Sequence, residues 1–194
     1  MAEKPYRITV DCEFDWGGRV PTLFGMRDGI PKILWLLKRY DIKALFFIST
    51  EIVEDAWKEI DSIQKAGHAL GSHGHFHMTY DSSKRCYQDR NISDDILKRL
   101  FSVEPEFYRA PRFNKLTHND CLPYSNSSNH VGLLKYTWFG GEVSRDSIIY
   151  LHPFDIIGGN NPPNLFCRVW YSRPDMAYSK LKELLHEDMS NQSP

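Results

Sequence analysis

Apolar positions along this chain switch between two periods. Residues 7–12 (RITVDC) form a short strand-like run, and Ile30, Ile33, Leu34 and Leu37 then recur at the spacing of a helical face. Asp28 reads as the N-cap of that helix, with Pro31 in its first turn, where a missing N–H does no harm. Residues 43–49 (KALFFIS) are a continuous apolar run of strand length. Residues 56–66 put Trp57, Ile60 and Ile63 on one helical face, and Gly67 suits the C-cap. A short apolar strand follows, ending before His73. The order strand, helix, strand, helix, strand predicts parallel pairing through right-handed crossovers, hence an α/β domain.

The second half is harder to parse. A helix is expected over about 93–103, a strand over 147–151, and an amphipathic helix over 177–186 through Leu181, Leu184 and Leu185. Between 115 and 141 no period dominates, and the Asn, Ser and His of 126–130 favour turns. Residues 188–194 are expected to be a disordered tail, which leaves 1–187 as the folded domain.

Composition narrows the classes. A chain of 194 residues holds one sizeable core and is too short for two ordinary domains. With 24 Lys and Arg against 25 Asp and Glu, the net charge is −1, so electrostatics give no reason to bind nucleic acid or an anionic membrane. No run of 18 apolar residues exists, and the first strand begins by residue 6, so the reading is a cytoplasmic protein without a transmembrane segment. Cys12, Cys86, Cys121 and Cys167 show no Cys-x-x-Cys spacing and are read as reduced thiols. The oligomeric state is left open.

Four segments carry chemistry. Residues 66–77 (AGHALGSHGHFH) place His73 and His77 four apart, where one side of a helical turn lets both imidazoles meet one divalent cation. In the first strand Asp11, Glu13 and Asp15 alternate with Cys12 and Phe14. At period 2 these carboxylates share a face, where one can ligate a metal while its neighbour accepts a proton. Cys12 falls on the opposite face, in the core. Residues 107–113 (FYRAPRF) set Arg109 beside a proline corner, and residues 148–153 (IIYLHP) end a strand in His152. A carboxylate pair, a histidine pair, an arginine and a terminal histidine together point to a hydrolytic metal site.

In this order the segments resemble the polysaccharide deacetylase family, the NodB-homology carbohydrate esterases of family 4. VDCEFDW resembles the carboxylate-rich first motif, KALFFIS the second strand, and GHALGSHGHFH the histidine motif; FYRAPRF is similar to the Arg-Pro motif and YLHPFDI to the closing Leu-His-Pro. The resemblance covers roughly residues 6–187. It implies a single-domain distorted (β/α) barrel, shortened here between 113 and 147, with the site at the C-terminal strand ends.

The resemblance also implies a function: a metal-dependent hydrolase that removes acetyl groups from the N-acetylated sugars of a glycan or glycoconjugate, using Zn²⁺ or another divalent transition metal. Carried over, His73, His77 and Glu13 hold the metal, Asp11 is the base, Arg109 pairs with Asp11, and His152 is the general acid. Arg112 follows the proline, where the family frequently has Tyr and a backbone N–H of the oxyanion hole. The family more often has Asp at the carboxylate ligand position, and Asp15 contends between loop capping and a site role. His75 points away from the metal. Asn126, in the stretch 124–128, stands where some relatives have an Asp that tunes the histidine, so a less basic His152 is expected. Trp16, Trp138 and Trp170, in loop-like context, are candidate sugar-stacking faces, whereas Trp35 and Trp57 are read as core. The alternatives are a hydrolase of a non-sugar amide or ureide, and a catalytically impaired carbohydrate-binding relative.

Overall fold

The structure, a computed structural model, describes residues 6–113, 130–133, 135, 137, 143–144, 146–157, 164–165, 168 and 172–190. Five short strands carry it: β1 (Ile8–Cys12), β2 (Leu45–Ile48), β3 (Ala69–Ser72), β4 (His130–Gly132) and β5 (Ile148–Leu151). They form one parallel sheet in the order β3-β2-β1-β5-β4. Strands buried on both faces read as continuous apolar runs, and β2 and β5 have that character, whereas the buried β1 sets Thr9 and Asp11 between apolar residues. Their side chains divide at period 2 between two clusters. Ile8, Val10, Cys12, Phe46, Ile48, Ile149 and Leu151 join the main core, while Leu45, Phe47 and Ile148 form a smaller cluster on the other face. Thr9 and Asp11 share that second face by alternation, so the chemistry develops on the side away from the main core.

The α-helices whose bounds fall within the described residues are α1 (Asp15–Gly18), α2 (Ile30–Arg39), α3 (Trp57–Lys65), α4 (Ser83–Phe101) and α5 (Pro174–Ser190). Ile30, Ile33, Leu36 and Leu37 of α2, Ile60 and Ile63 of α3, and Leu181, Leu184 and Leu185 of α5 close over the main core. Each fully buried side chain of this kind contributes roughly 1.5–3 kcal/mol. The parallel sheet and flanking helices make a shortened distorted (β/α) barrel. Beyond β3 the sheet is prolonged by a parallel bridge from Ser72 to Tyr108, which delivers the arginine segment to the same end.

Several expectations need correction. Asp28 does not cap α2; it lies in a π-helical turn, Gly25–Gly29, that runs straight into it. That turn packs against the segment after β5, and a Cβ on Gly29 would stand 2.2 Å from the Pro153 carbonyl oxygen, so glycine is required there. Helix α4 begins ten residues before the expected 93. Its buried face runs through Cys86, Asp89 and Ser93 before reaching Leu97 and Phe101, so apolar periodicity shows only the last turns. Helix α5 continues to Ser190, and Asp188 pairs with Arg7 beside β1, so 188–190 are helix and not tail. Trp35 and Trp57 are 53% and 42% exposed instead of core; the Arg39 guanidinium covers the former and Phe101 stacks on the latter at 4.5 Å. Strand β4 begins at His130, inside the stretch read as turn. Among the described residues no helix is long and apolar enough to cross a membrane.

Candidate active site

The site grows from the C-terminal end of β1. Register pairs Asp11 with Phe47 of β2, and the Arg109 guanidinium lies over that Phe47 ring at 4.3 Å. Arg109 is itself fully buried. Its backbone N–H donates to Ser72 O at 3.0 Å, its Nη1 to Asp11 Oδ1 at 2.5 Å, and its Nη2 to Thr9 Oγ1 at 2.8 Å. A buried cation is tolerated when paired and hydrogen-bonded, which is what Asp11 and Thr9 supply. Burial pushes the Asp11 carboxyl up, but Arg109, helped by His73 and His152, outweighs it and holds the group below its usual range. Asp11 is therefore ionised and aimed.

The next carboxylates diverge, although they sit two residues apart. Asp15 turns into the following loop, where Oδ2 accepts from Thr22 Oγ1 and the Phe24 N–H at 2.8 Å each and Oδ1 accepts from the Gly25 N–H at 2.9 Å. Loop capping takes both of its oxygens. Glu13 is buried, and Oε2 faces His77 Nε2 at 2.5 Å and His73 Nε2 at 3.3 Å.

His73 Nδ1 lies 2.7 Å from the Arg109 carbonyl oxygen, which only accepts. In a neutral ring the proton is then on Nδ1, and Nε2 presents a lone pair to Glu13. Acceptors aimed at one another in a buried site require a cation between them, either protons on the rings or a metal ion. Neither Glu13 oxygen has a hydrogen-bond partner among the described residues. The three ligand atoms lie within 4.8 Å of one another. Two imidazoles and one carboxylate are a donor set that fits a divalent ion of the Zn²⁺ type. Burial pushes Glu13 up, and the adjacent His73, His77 and His152 rings more than reverse it, keeping the carboxylate charged.

The histidines do not share a helical turn. Residues 73–77 are irregular, and Gly74 adopts φ +80, so chelating geometry comes from the loop's path. His75 points away as expected and meets the Thr50 hydroxyl at 3.0 Å.

The opposite wall is His152, which follows β5. Its Nε2 lies 3.6 Å from Glu13 Oε1, its ring stacks on Phe154 at 4.8 Å, and its side chain stays 21% exposed. Asp155, three residues on, accepts the His152 N–H at 2.8 Å and lies 3.5 Å from Nδ1. Burial lowers the His152 pKa, but Asp155 first, then Glu13 and Asp11, raise it to about 9. This overturns the expectation of a less basic His152, because the tuning carboxylate is local. Asn126 lies outside the described residues.

Between the walls is a cleft of about 370 Å³ lined by Asp11, Glu13, His73, His77 and His152 together with Trp16, Arg19, Arg112, Phe113 and Tyr150. Trp16 is only 4% exposed and packs on Phe154 at 5.9 Å, so it forms a wall and not an open stacking platform. Arg112 is exposed, with positive φ. Trp138 and Trp170 lie outside the described residues, as do Cys121 and Cys167; Cys12 and Cys86 are buried and form no disulfide among the described residues.

A family model described as polysaccharide deacetylase matches residues 7–121, more than half of the chain. The chain belongs to the polysaccharide deacetylase family. It is 28% identical over 113 residues to a peptidoglycan deacetylase of Helicobacter pylori, covering 56% of this chain and 38% of that protein. It is 34% identical over 103 residues to a peptidoglycan-N-acetylglucosamine deacetylase of Bacillus cereus, covering 52% and 37%. The match thus spans well under half the length of these curated relatives. Among solved structures, the fold matches a pseudoenzyme of carbohydrate esterase family 4 from Bacillus anthracis with a TM-score of 0.58 at 15% identity, over 97% of this chain and 62% of that one.

Within this deacetylase fold, the structure brings together Asp11, Glu13, His73, His77, Arg109 and His152. Asp155, which meets His152 beside these residues, is the site neighbour that sequence reasoning missed. Its signal was an acidic side chain three residues after a strand-ending His-Pro, the spacing at which a carboxylate meets both the backbone N–H and the ring of that histidine.

Proposed function

We propose that this chain is a metal-dependent deacetylase that hydrolyses the acetamide of N-acetylated sugars in a glycan or glycoconjugate. The observation that carries this reading is the convergence of the Glu13, His73 and His77 ligand atoms between an ionised, arginine-held Asp11 and a protonated His152. The names of the two curated relatives agree with an N-acetylated glycan substrate.

Glu13, His73 and His77 would hold the ion. When bound, it supplies Lewis acidity toward the acetyl carbonyl and lowers the pKa of water to about 7. Asp11, kept ionised by Arg109, accepts the proton of the attacking water. The Arg112 backbone N–H serves the oxygen on which negative charge develops. An amine leaves readily only when protonated, and His152 delivers that proton from the opposite wall. At neutral pH Asp11 is deprotonated and His152 protonated, so both groups start in the state their roles need.

The test is metal analysis of the purified protein followed by acetate release from chitin oligosaccharides and peptidoglycan. Metal with acetate release is the expected result. Metal without release from any glycan favours a non-sugar amide or ureide, and absence of both favours a carbohydrate-binding relative without turnover.

A further inference from the structure

The loop between the two histidines is gripped from both sides, and one grip is a carboxylate with no place in the chemistry above. Irregular backbone has to find partners for its N–H and C=O groups outside itself. Here the Gly74 and His75 carbonyls accept from the Thr50 and Glu51 N–H groups, both at 3.0 Å, in the 3-10 turn Thr50–Ile52. The His75 and Phe76 N–H groups donate to Asp89 Oδ2 at 2.9 Å and Oδ1 at 3.0 Å. Asp89 is buried on α4, and the Tyr80 hydroxyl also bonds to it. Gly74 is the residue that admits it: a Cβ there would stand 2.4 Å from Asp89 Oδ2. Ser93, one turn on along α4, meets the Ser72 hydroxyl at 3.0 Å, so the same helical face is pinned to β3.

The two histidines depend on this grip unequally. His73 directly follows β3, and its ring is fixed through Nδ1 to the Arg109 carbonyl. His77 Nδ1 has no hydrogen-bond partner among the described residues, and Gly18 backs the ring so closely that a Cβ there would stand 2.9 Å from that nitrogen. The bearing of His77 on Glu13 is therefore set by its backbone, and the last anchored peptide before it is the one Asp89 holds.

We propose that Asp89 is the positioning residue for the metal pair, acting through the 75 and 76 amides to hold His77 at chelating distance from His73 and Glu13. This rests on the reading of Glu13, His73 and His77 as metal ligands. Asp89 touches neither substrate nor ion.

The experiment compares the wild-type protein with Asp89→Leu, which keeps a similar outline without acceptors, and Asp89→Asn, which keeps one acceptor oxygen. Zinc affinity is measured by competition with a chromophoric chelator. The visible spectrum of the Co²⁺-loaded protein reports ligand geometry, and melting of the metal-free protein reports folding. Groups that orient metal ligands are worth about 10- to 100-fold in affinity, so Asp89→Leu should lose zinc affinity in that range and change the cobalt spectrum, with Asp89→Asn between it and wild type. If Asp89→Leu does not fold, a weakened zinc affinity in folded Asp89→Asn supports the proposal by itself. Variants that melt lower without metal yet bind zinc with wild-type affinity and spectrum would overturn it and leave the metal site standing. A wild-type protein that takes up no zinc or cobalt overturns both.

Discussion

The two walls of the cleft are held by different means. On the side of the candidate metal ligands, each orienting bond involves backbone: His73 leans on the Arg109 carbonyl, Arg109 is tied by its own N–H to Ser72, and the loop before His77 is held by Thr50, Glu51 and Asp89. On the acid side, His152 depends on one carboxylate three residues away and on ring stacking with Phe154, and it stays partly open to solvent. The difference matches the work proposed for each wall. Metal ligands must keep tenths of an ångström, which interlocked backbone provides. A proton donor must reach a leaving group and recover its proton, which requires access.

The sharpest break in this contrast comes from the metal wall. Replacing His73 and His77 together by Ala should abolish bound metal and reduce deacetylation to background, whereas Glu13→Gln should leave the fold intact and weaken metal affinity; elemental analysis and chelator titration measure both. Next in size is Asp11→Asn, which should keep its metal while kcat falls roughly 10²- to 10⁴-fold. It should also melt at lower temperature, since losing the counter-charge of a buried cation costs roughly 3–5 kcal/mol. If instead Asp11→Asn loses metal and Glu13→Gln keeps it, the two roles are exchanged.

The acid wall should yield a different signature. His152→Ala is expected to retain metal and lose about 10²- to 10⁴-fold in kcat on an N-acetyl sugar, but far less on an aryl acetate, whose leaving group needs little protonation. Equal losses on both substrates would remove the general-acid role. The smallest effect belongs to Asp155. His152 must be protonated to act, and with its pKa at about 9 activity should hold through neutral pH and fall as pH rises past that value. Asp155→Asn removes the main charge that raises this pKa, so the basic limb of the kcat profile should move to lower pH, with metal content unchanged. A basic limb that stays in place would mean another group sets it.

How far the sequence carried this picture depends on which force set each feature. Strands β1, β2, β3 and β5 and the helix faces of α2, α3 and α5 were legible because burial against one core imposes a period. The buried face of α4 was not, since Cys86, Asp89 and Ser93 meet a loop and a strand through polar contacts that leave no apolar stripe. His73 and His77 were found by their spacing, but the helical turn invoked for them is absent. Tertiary hydrogen bonds and a left-handed Gly74 bring them together, and spacing does not encode either. Period 2 placed Asp11, Glu13 and Asp15 on one face and could not separate Glu13 from Asp15. The Gly-containing turn after Trp16 separates them by leading the chain to the Thr22 hydroxyl and the Phe24 and Gly25 N–H groups that donate to Asp15. Asp155 was overlooked because the tuning carboxylate was sought in a distant segment, while the chain supplies it three residues on.

The most direct test of the account is acetate release from N-acetylglucosamine oligomers by one preparation in three states: as purified, stripped by chelator, and reloaded with Zn²⁺. Release by the purified protein that is lost on stripping and returns on reloading, with about one ion per chain, is the predicted result. Equal release in all three states, or none with the metal site filled, would contradict it.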